Sequence, residues 1–584
     1  MMYRFRFVVA LAALSLTGTA LQAQDTDQAA MPQPGTTPTV FDNTDLVKKY
    51  QATITSSDLA SHLFTFASDY FEGRETTTRG QKLAAYYLAG QYRKMGLTPK
   101  GTAETAHEYS PEAYLQPFTV YGRRMRTAAL TVGGTTHQFS ENEQNAHAYP
   151  MWGNTPEAEG GVVFAGYGIA SEDLGYDDYA AIKTSEVSIN GKWLLILRDE
   201  PLQDAETSLL PTETGGPSAF SASFFNKVRA LYGARAGVPA GVLMVNDIGP
   251  RAEADAMMAG AKNQAGQLNT VGSLSLQAEA GGRGFPPFYA ISSELANQIL
   301  APSGKTVADL QAQIDQSLEP VVFDVEGATV SSNIEYGTYE AQTENVLAFI
   351  EGSDPVLKDE VVVVSSHYDH IGINPALEGD QINNGADDDG SGTVAVLEMA
   401  EAFMAAKADG YGPRRSILFL NVSGEEKGLL GSEYYASIEP VFPIENTVTN
   451  LNIDMIGRID PTHPTDRNDY VYIIGSKLIS QELHDLNVKA NEVTGTDLEL
   501  HERFNSKDDP NRFYQRSDHW NFGEKGIPFI FFFTGTHEDY HGVDDEPEKI
   551  EYDRMTRIAR LIFATAWQVA NQDVRPAVSG TGFN

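Results

Sequence analysis

Histidines and carboxylates spaced along the second half of the chain could together hold metal ions. Histidine nitrogen and carboxylate oxygen are ligands that suit zinc and, less exclusively, manganese or cobalt. The chain contains no cysteine, so thiol catalysis, disulfides and cysteine-based zinc sites are excluded. Two metal ions need about five or six protein ligands with one carboxylate shared between them, and this supply fits two ions better than one. The candidates are His367 and Asp369 in HYDH, Asp387, Asp388 and Asp389 in GADDDGSG, Glu425 and Glu426 in SGEE, Asp454, and His541.

Predicted strands and helices explain how these residues can meet. Near-continuous apolar strands alternate with helices, which predicts an α/β fold with a mostly parallel sheet flanked by helices. Ligands of such sheets bind outside the carboxyl ends of the strands, and the candidate residues all come at or just after those ends. The predicted strands are ENVLAFIEG, EVVVVSSHYDH, RRSILFLNVSGEE, NLNIDMIG and IPFIFFFTG, and the helices are SGTVAVLEMAEAFMAA, ISQELHDLNVKANEV and YDRMTRIARLIFATAWQVA.

A second metal motif, H-E-x-x-H, occurs at His537 to His541. That motif binds zinc when both histidines share one face of a helix. Here it follows an apolar β run, and Gly542 and Pro547 come soon after it. A helix is therefore not expected, and only His541 is kept as a candidate ligand.

Several of these motifs resemble the co-catalytic zinc aminopeptidases of peptidase family M28. The resemblance covers residues 343–570 and is carried by GADDDGSG, SGEEKGLLGS, NIDMIG, RSDHWNF and DYHGVDD. Upstream, ASDYFEGRETTTRGQKLAAYYLAGQYRKMGL resembles the helical segment at the start of that family's peptidase domain. The β-rich stretch between them resembles an inserted protease-associated domain. The resemblance implies a zinc-dependent exopeptidase fold and peptide substrates with a free N-terminus.

The resemblance also implies a role for each candidate in a centre of two Zn²⁺ ions. Asp387 would bridge the ions, and Asp388 next to it would hold the geometry of the turn. His367 and Asp454 would complete one site, and Glu426 and His541 the other. Glu425 would be the general base, Asp369 would orient His367, and Tyr514 would hydrogen-bond the reacting carbonyl. In the chemistry this implies, two zinc ions lower the pKa of a bridging water towards about 7 and so supply hydroxide. The general base then passes a proton to the leaving amine.

The length of the chain and the changes in its sequence pattern predict several domains. Its 584 residues exceed the roughly 250–300 at which single cores stop growing. The prediction is a signal peptide at 1–23, a flexible leader at 24–43, a helical part of the peptidase domain at 44–150, the protease-associated insert at 151–325, and the metal-binding peptidase domain at 335–575.

The N-terminus predicts export. Two arginines within the first six residues precede an apolar run and then Ala23, which is the layout of a secretory signal peptide. The apolar run is shorter than the roughly 20 residues that span a bilayer, so membrane insertion is not expected. We therefore expect a periplasmic or secreted protein.

The charge balance restricts the partners. With 42 Lys and Arg against 79 Asp and Glu, the formal net charge is -37. Such an excess of acid argues against binding to nucleic acid and to anionic membrane surfaces.

Two alternatives to an aminopeptidase stay open: a carboxypeptidase of the same fold, which would use arginines near the site, and an inactive receptor-like binding protein. The arginines in question are Arg458, Arg503, Arg512 and Arg516.

Overall fold

The computed structural model describes residues 32–580, apart from residues 105, 108, 141, 185, 213, 236, 253–255, 268–270, 279–284, 376, 508 and 510. The predicted signal peptide and the first part of the predicted leader lie outside these residues. Within them, no helix combines the length and the apolar character needed to cross a bilayer.

The described residues form strands and helices along the whole of the described chain. The strands are β1 (Thr98–Pro99), β2 (Leu115–Val132), β3 (Thr135–Ser140), β4 (Ala148–Trp152), β5 (Glu157–Ala165), β6 (Ala170–Ser171), β7 (Tyr176–Asp177), β8 (Trp193–Leu197), β9 (Gly241–Val245), β10 (Ser273–Ser275), β11 (Phe288–Ile291), β12 (Val322–Ile350), β13 (Val361–His367), β14 (Ser416–Val422), β15 (Thr447–Ile453), β16 (Tyr470–Ile474), β17 (Glu499–His501) and β18 (Phe529–Phe533). The helices are α1 (Thr44–Gln51), α2 (Ser56–Phe66), α3 (Arg79–Met95), α4 (Ala180–Lys183), α5 (Ala219–Ala222), α6 (Phe224–Gly233), α7 (Ala256–Gln267), α8 (Ser293–Leu300), α9 (Val307–Ser317), α10 (Gly392–Ala408), α11 (Leu430–Glu433), α12 (Ser476–Ile479), α13 (Gln481–Thr494), α14 (His519–Gly523) and α15 (Tyr552–Asn571).

The C-terminal strands form the predicted α/β sheet, in the order β17-β16-β18-β15-β13-β14-β12. The four central strands are parallel, since β13 pairs in parallel with β14 and β15, and β15 pairs in parallel with β18. Strand β16 is antiparallel to β18, and β12 is antiparallel to β14. The mostly parallel sheet predicted from the sequence is therefore confirmed.

Strand β13 explains why the apolar runs in this region are unbroken. All seven of its residues are buried. Val362 and Val364 point into the core beneath α3, α10 and α15, whereas Val361 and Val363 point into the core on the other face, beside α14. Because successive side chains of a strand point to opposite faces, a strand covered on both sides needs apolar residues at every position.

A second β-rich region precedes this sheet and is joined to it by β12, a strand of 29 residues. Strands β5, β8, β9 and β11 pair in parallel there, and β4 is antiparallel to β11. Strand β12 pairs with β5 near its start and with β14 at its end, so one strand belongs to both regions and crosses the predicted boundary between 325 and 335. The interpretation of the β-rich region as a protease-associated domain stays a prediction.

The segment 44–150 is helical only in its first part. Helices α1, α2 and α3 end at Met95, and β2, β3 and β4 occupy most of 115–152. Strand β2 is long because its residues from Leu115 to Val132 pair with β12. The description of 44–150 as a helical part was therefore wrong beyond α3, because this pairing is with a partner some 200 residues away in the sequence, which local periodicity does not reveal.

Candidate metal centre

The candidate residues meet at one edge of the parallel sheet. His367 is the last residue of β13, and Asp454 comes directly after β15. Glu425 and Glu426 lie in the loop after β14, and His541 lies in the loop after β18. Because these four strands are parallel, their carboxyl ends deliver all five residues to the same place.

The first group of ligand atoms surrounds His367. Its Nε2 lies 3.2 Å from Asp388 Oδ1 and 3.6 Å from Asp454 Oδ1. The other ring nitrogen, Nδ1, lies 3.2 Å from the main-chain oxygen of Asp369. A histidine whose Nδ1 is held by a carbonyl presents Nε2 as the metal ligand. His367, Asp388 and Asp454 can therefore hold one cation.

The second group contains two histidines. His541 Nε2 lies 3.1 Å from Asp388 Oδ2 and 3.1 Å from Glu426 Oε2. His370 Nδ1 lies 2.8 Å from Glu426 Oε1 and 3.8 Å from Asp388 Oδ2. The sequence analysis missed His370, although its place at the end of the same HYDH run as His367 was a signal for it. The two oxygens of Asp388 therefore face different groups: Oδ1 faces His367, and Oδ2 faces His541.

Asp388, and not Asp387, therefore occupies the bridging position. Asp387 is also fully buried, but its Oδ1 accepts a hydrogen bond of 2.6 Å from the main-chain N–H of Gly457. Its Oδ2 lies 3.4 Å from Nε2 of His537, a residue outside both groups. The assignment of the bridge to Asp387 was wrong by one residue.

The backbone of the turn that contains Asp387, Asp388 and Asp389 explains why the shared carboxylate lies one residue later than expected. Asp388 and Asp389 have non-helical dihedral angles, with ψ values of 101° and 52°, within a turn that leads into α10. The three adjacent carboxylates therefore do not share one face. The Asp389 carboxylate consequently accepts main-chain N–H groups of His367, Gly392 and Met455, which ties the ends of β13 and β15 to the start of α10. Three adjacent aspartates thus have three different environments.

The charges of the two groups indicate that the cluster suits a cation. Burial alone would raise the pKa of Asp388, but hydrogen bonds from His367 and His541 outweigh it and hold that pKa well below its usual range. Burial of His541 is likewise outweighed by hydrogen bonds to Asp388 and Glu426, which raise its pKa to about 10. Histidine and carboxylate atoms that lie this close together in a buried cluster can hold a cation.

Glu425 lies in the wall of the cavity next to these groups. Its main-chain N–H donates to Asp369 Oδ1 at 3.3 Å. Burial raises the pKa of Glu425 well above its usual range, His367 lowers it, and the carboxylates of Glu426 and Asp454 raise it. A glutamate with a raised pKa beside a metal site has the property that a general base needs.

Asp369 supports the site less directly than expected. Its Oδ1 lies 3.8 Å from His367 Nδ1, which is beyond hydrogen-bonding distance, and the ring contacts the main-chain oxygen instead. The Asp369 carboxylate accepts a hydrogen bond of 2.7 Å from the Thr76 hydroxyl and the bond from the Glu425 N–H. Asp369 therefore connects the Glu425 loop to the segment before α3.

Tyr514 does not contribute its side chain to the cavity. It is 1% exposed and packs with its ring centroid 6.0 Å from that of Trp520 and 5.8 Å from that of Phe529. Tyr540, directly before His541, lines the cavity instead. Burial and the charges of Asp388 and Glu426 raise the pKa of Tyr540, so its hydroxyl stays protonated. Among the tyrosines, the geometry supports Tyr540 rather than Tyr514 as the donor to a bound carbonyl.

Arg74 lies behind the site, with no exposed surface. Its guanidinium donates four hydrogen bonds to main-chain oxygens: Nε to Tyr368 at 2.9 Å, Nη1 to Phe66 at 3.2 Å and to Asn384 at 2.6 Å, and Nη2 to Gly385 at 2.8 Å. Burial lowers the pKa of Arg74 to about 10, which still leaves it charged at neutral pH. One side chain thus holds together the end of α2, the residue after His367 and the loop that leads to Asp388.

The cavity beside the two groups has a volume of about 340 Å³. One wall is acidic and contains Glu425, Glu426, Asp388 and Asp454, and Arg516 lies at the same cavity and donates to the Tyr540 hydroxyl at 3.2 Å. The opposite wall is apolar: Leu429, Met455, Phe513, Phe531 and Phe533.

Of the four arginines considered from the sequence, only Arg516 lines this cavity. Arg458 is paired with Asp539 at 2.9 Å. Arg503 donates to the main-chain oxygen of Thr462, and Arg512 donates to the Gln515 side chain. The cluster of basic groups that a second substrate carboxylate would require is therefore not formed by these residues.

These features define a candidate metal site at the edge of an α/β sheet. Residues 345–566 match the model of peptidase family M28. Aminopeptidase YwaD of Bacillus subtilis is 26% identical over 242 residues, which cover 40% of this chain and 47% of that protein. A probable zinc metalloprotease of Pyrenophora teres f. teres is 26% identical over 329 residues, which cover 49% of this chain and 60% of that protein. Leucine aminopeptidase 1 of Penicillium rubens is 30% identical over 222 residues, which cover 37% of this chain and 54% of that protein. The chain thus spans about half the length of these curated relatives.

Proposed function

We propose that the protein is a di-zinc aminopeptidase that hydrolyses the first peptide bond of peptides with a free N-terminus. The observation that carries this proposal is the shared carboxylate of Asp388, which has one oxygen towards His367 and the other towards His541. Histidine nitrogen with carboxylate oxygen suits zinc. His367, Asp388 and Asp454 would hold one ion, and Asp388, Glu426, His541 and His370 the other. The name of one relative, a probable zinc metalloprotease, agrees with this choice of metal.

The residues of the chain would divide the reaction among them. Zinc lowers the pKa of water towards about 7 and polarises a carbonyl oxygen, and this is the chemistry that the two ions would supply. The Glu425 carboxylate would accept the proton of the attacking water and pass it to the leaving nitrogen. The Tyr540 hydroxyl would donate a hydrogen bond to the oxygen of the scissile carbonyl. Arg516 would hold that hydroxyl in place through its own hydrogen bond.

The cavity supports a preference for an apolar first residue. A substrate α-amine is a cation and would lie against the acidic wall. The first side chain would then lie against the apolar wall, where Phe513, Phe531 and Phe533 offer large apolar surface. Burying a leucine or phenylalanine side chain contributes about 1.5–3 kcal/mol. We therefore propose leucine, methionine and phenylalanine as preferred N-terminal residues.

Export is part of the same proposal. The two arginines, the apolar run and the small residue at position 23 support cleavage by a signal peptidase. N-terminal sequencing of the protein recovered from the native cell tests this. A start at or near residue 24 is expected, and an intact Met1 in a cytoplasmic fraction would contradict it.

One peptide in two forms tests the activity. We would incubate the purified protein with a leucine-initiated peptide, free and N-acetylated, with and without a zinc chelator. Cleavage of the free form alone, abolished by the chelator and restored by zinc, is expected. Release of C-terminal residues from both forms would instead assign a carboxypeptidase. Absence of cleavage with no bound metal would favour the inactive receptor-like reading.

A further inference from the structure

Arg516 lies at the mouth of the cavity beside the metal groups. Of the described residues that line this cavity, it is the one that carries a lysine or arginine side chain. The exposed residues of the lining are Gly428, Arg516 and His541, so the cavity opens to solvent between them. A peptide whose first side chain lies against the buried apolar wall therefore passes Arg516 where it leaves the cavity.

Two contacts hold the Arg516 guanidinium and leave donors free. Its Nη2 donates to the Tyr540 hydroxyl at 3.2 Å, and its central carbon lies 5.1 Å from the centre of the Phe513 ring. In the described part of the chain, no carboxylate oxygen lies within 4 Å of this guanidinium, because every arginine ion pair there involves another arginine. The carboxylates of the cavity wall are thus farther away. A guanidinium has several N–H donors in one plane, so one bond to a hydroxyl leaves others for a ligand.

The contact with Tyr540 places these donors near the reaction. The Tyr540 ring stacks on the ring of His541, with centroids 3.9 Å apart. In the proposed function the Tyr540 hydroxyl donates to the scissile carbonyl, and Arg516 is bonded to that same hydroxyl. Successive residues of an extended chain are about 3.5 Å apart, so the group one residue after the scissile carbonyl comes within reach of the guanidinium. In a dipeptide that group is the C-terminal carboxylate, whereas in a longer peptide it is a neutral carbonyl.

We propose that Arg516 binds the C-terminal carboxylate of dipeptides, which makes dipeptides with an apolar first residue the preferred substrates. This inference rests on the proposed function and narrows its substrate class. One guanidinium can bind one carboxylate through two parallel N–H···O bonds. The net charge of -37 opposes an anionic substrate, so without Arg516 the amide of a dipeptide should be the better substrate.

Two pairs of peptides test this with the zinc-loaded protein. The first pair is leucyl-glycine and its C-terminal amide, and the second is leucyl-triglycine and its amide. We expect kcat/KM for the dipeptide acid to exceed that for the dipeptide amide by about five- to tenfold. The second pair should show no such preference, because its carboxylate lies two residues, about 7 Å, farther from the scissile bond. A preference for the dipeptide amide, or an equal acid preference in both pairs, would overturn the proposal.

Arg512 provides a matched control for Arg516. It is exposed and lies four residues earlier, but it donates to the Gln515 side chain and is absent from the lining of the cavity. Arg516→Gln should abolish the preference for the dipeptide acid, Arg516→Lys should retain part of it because the charge remains, and Arg512→Gln should retain all of it.

The ratio of kcat/KM between acid and amide separates carboxylate binding from the second role of Arg516. Loss of the bond to Tyr540 lowers turnover of both dipeptides alike, because they share the reacting carbonyl, and the ratio cancels that loss. A ratio that persists in Arg516→Gln, or that falls equally in Arg512→Gln, would overturn the proposal.

A binding measurement and one blocked peptide complete the test. Isothermal titration of zinc-loaded Glu425→Gln should show tighter binding of the dipeptide acid than of its amide, and equal binding would overturn the proposal. N-acetyl-leucyl-glycine should not be cleaved. Its cleavage would assign a carboxypeptidase and overturn the proposed function together with this inference, whereas equal cleavage of the free dipeptide and its amide would overturn this inference alone.

Discussion

Replacement of Arg74 by lysine tests whether one buried side chain positions the metal ligands. The guanidinium makes four hydrogen bonds to main-chain oxygens of three segments. Lysine keeps the positive charge, so the electrostatic effect on a bound cation is preserved. A single ammonium group cannot reach all four oxygens, however, and we expect at least two bonds to be lost. Hydrogen bonds to charged groups are worth about 1.5–3 kcal/mol each, so the local loss is about 3–6 kcal/mol.

Part of that loss should appear as weaker metal binding. Two of the four oxygens belong to Asn384 and Gly385, which lead into the turn that carries Asp388, and a third belongs to Tyr368, next to His367. Changes to groups that orient metal ligands lower metal affinity about 10–100-fold. We therefore expect the zinc affinity of Arg74→Lys, measured by competition with a chromophoric chelator, to fall by that factor.

Arg415→Lys is the matched control. Arg415 is 1% exposed and donates to main-chain oxygens of Val569, Gln572 and Asp573, and it also pairs with Glu360 at 2.6 Å. Its contacts lie at the start of β14, opposite the ligand-bearing end of the sheet. Both variants should lower the apparent unfolding temperature of the metal-free protein, but only Arg74→Lys should lose zinc affinity. Unchanged zinc affinity in Arg74→Lys, or an equal loss in Arg415→Lys, would refute this reasoning.

Three further substitutions separate the roles at the site. Glu425→Gln should keep both zinc ions and lower kcat by about 10²–10⁴-fold, as measured by metal analysis and peptide hydrolysis; near-normal kcat would remove Glu425 as the base. Asp388→Asn should lose zinc. Asp387→Asn should retain two ions per chain, because the amide oxygen can still accept the hydrogen bond from the Gly457 N–H. The reverse pattern would restore Asp387 as the bridge. Tyr540→Phe should lower kcat by about 10²–10³-fold with little change in KM, and Tyr514→Phe should leave kcat unchanged; equal effects would argue against a carbonyl donor at Tyr540.

The sheet and the place of the site could be predicted because they depend on local patterns. Strand β13 reads as an unbroken apolar run, since Val361 to Val364 alternate between two cores. Acidic residues and histidines at strand ends then indicate the ligand-binding edge. His367, Glu426, Asp454 and His541 were found in this way, and the structure brings all four together with Glu425.

The errors at the site concern residues whose role depends on the direction of the side chain and not only on the position of the residue in the sequence. Asp387, Asp388 and Asp389 are adjacent, and only their backbone dihedral angles determine which carboxylate faces the histidines. Tyr514 and Tyr540 are likewise distinguished by packing, because the first ring lies in the aromatic core while the second lines the cavity. A single sequence contains no local signal for these directions.

The error in the β-rich region has a different cause. Strand β12 pairs with β5 near its start, with β2 from Val330 to Val346, and with β14 at its end, so its extent depends on partners far along the chain. The sequence indicated β structure after residue 157 and a strand at ENVLAFIEG, but it did not show that a single strand runs from Val322 to Ile350. Non-local pairing of this kind is not encoded in the periodicity of either partner.

Anomalous scattering at the zinc edge from crystals of the zinc-loaded protein tests the central claim most directly. The account predicts two peaks, about 3.5–4 Å apart, on either side of the Asp388 carboxylate. One peak should lie against His367 and Asp454, and the other against Glu426 and His541. A single peak, or a peak pair bridged by Asp387, would contradict the account.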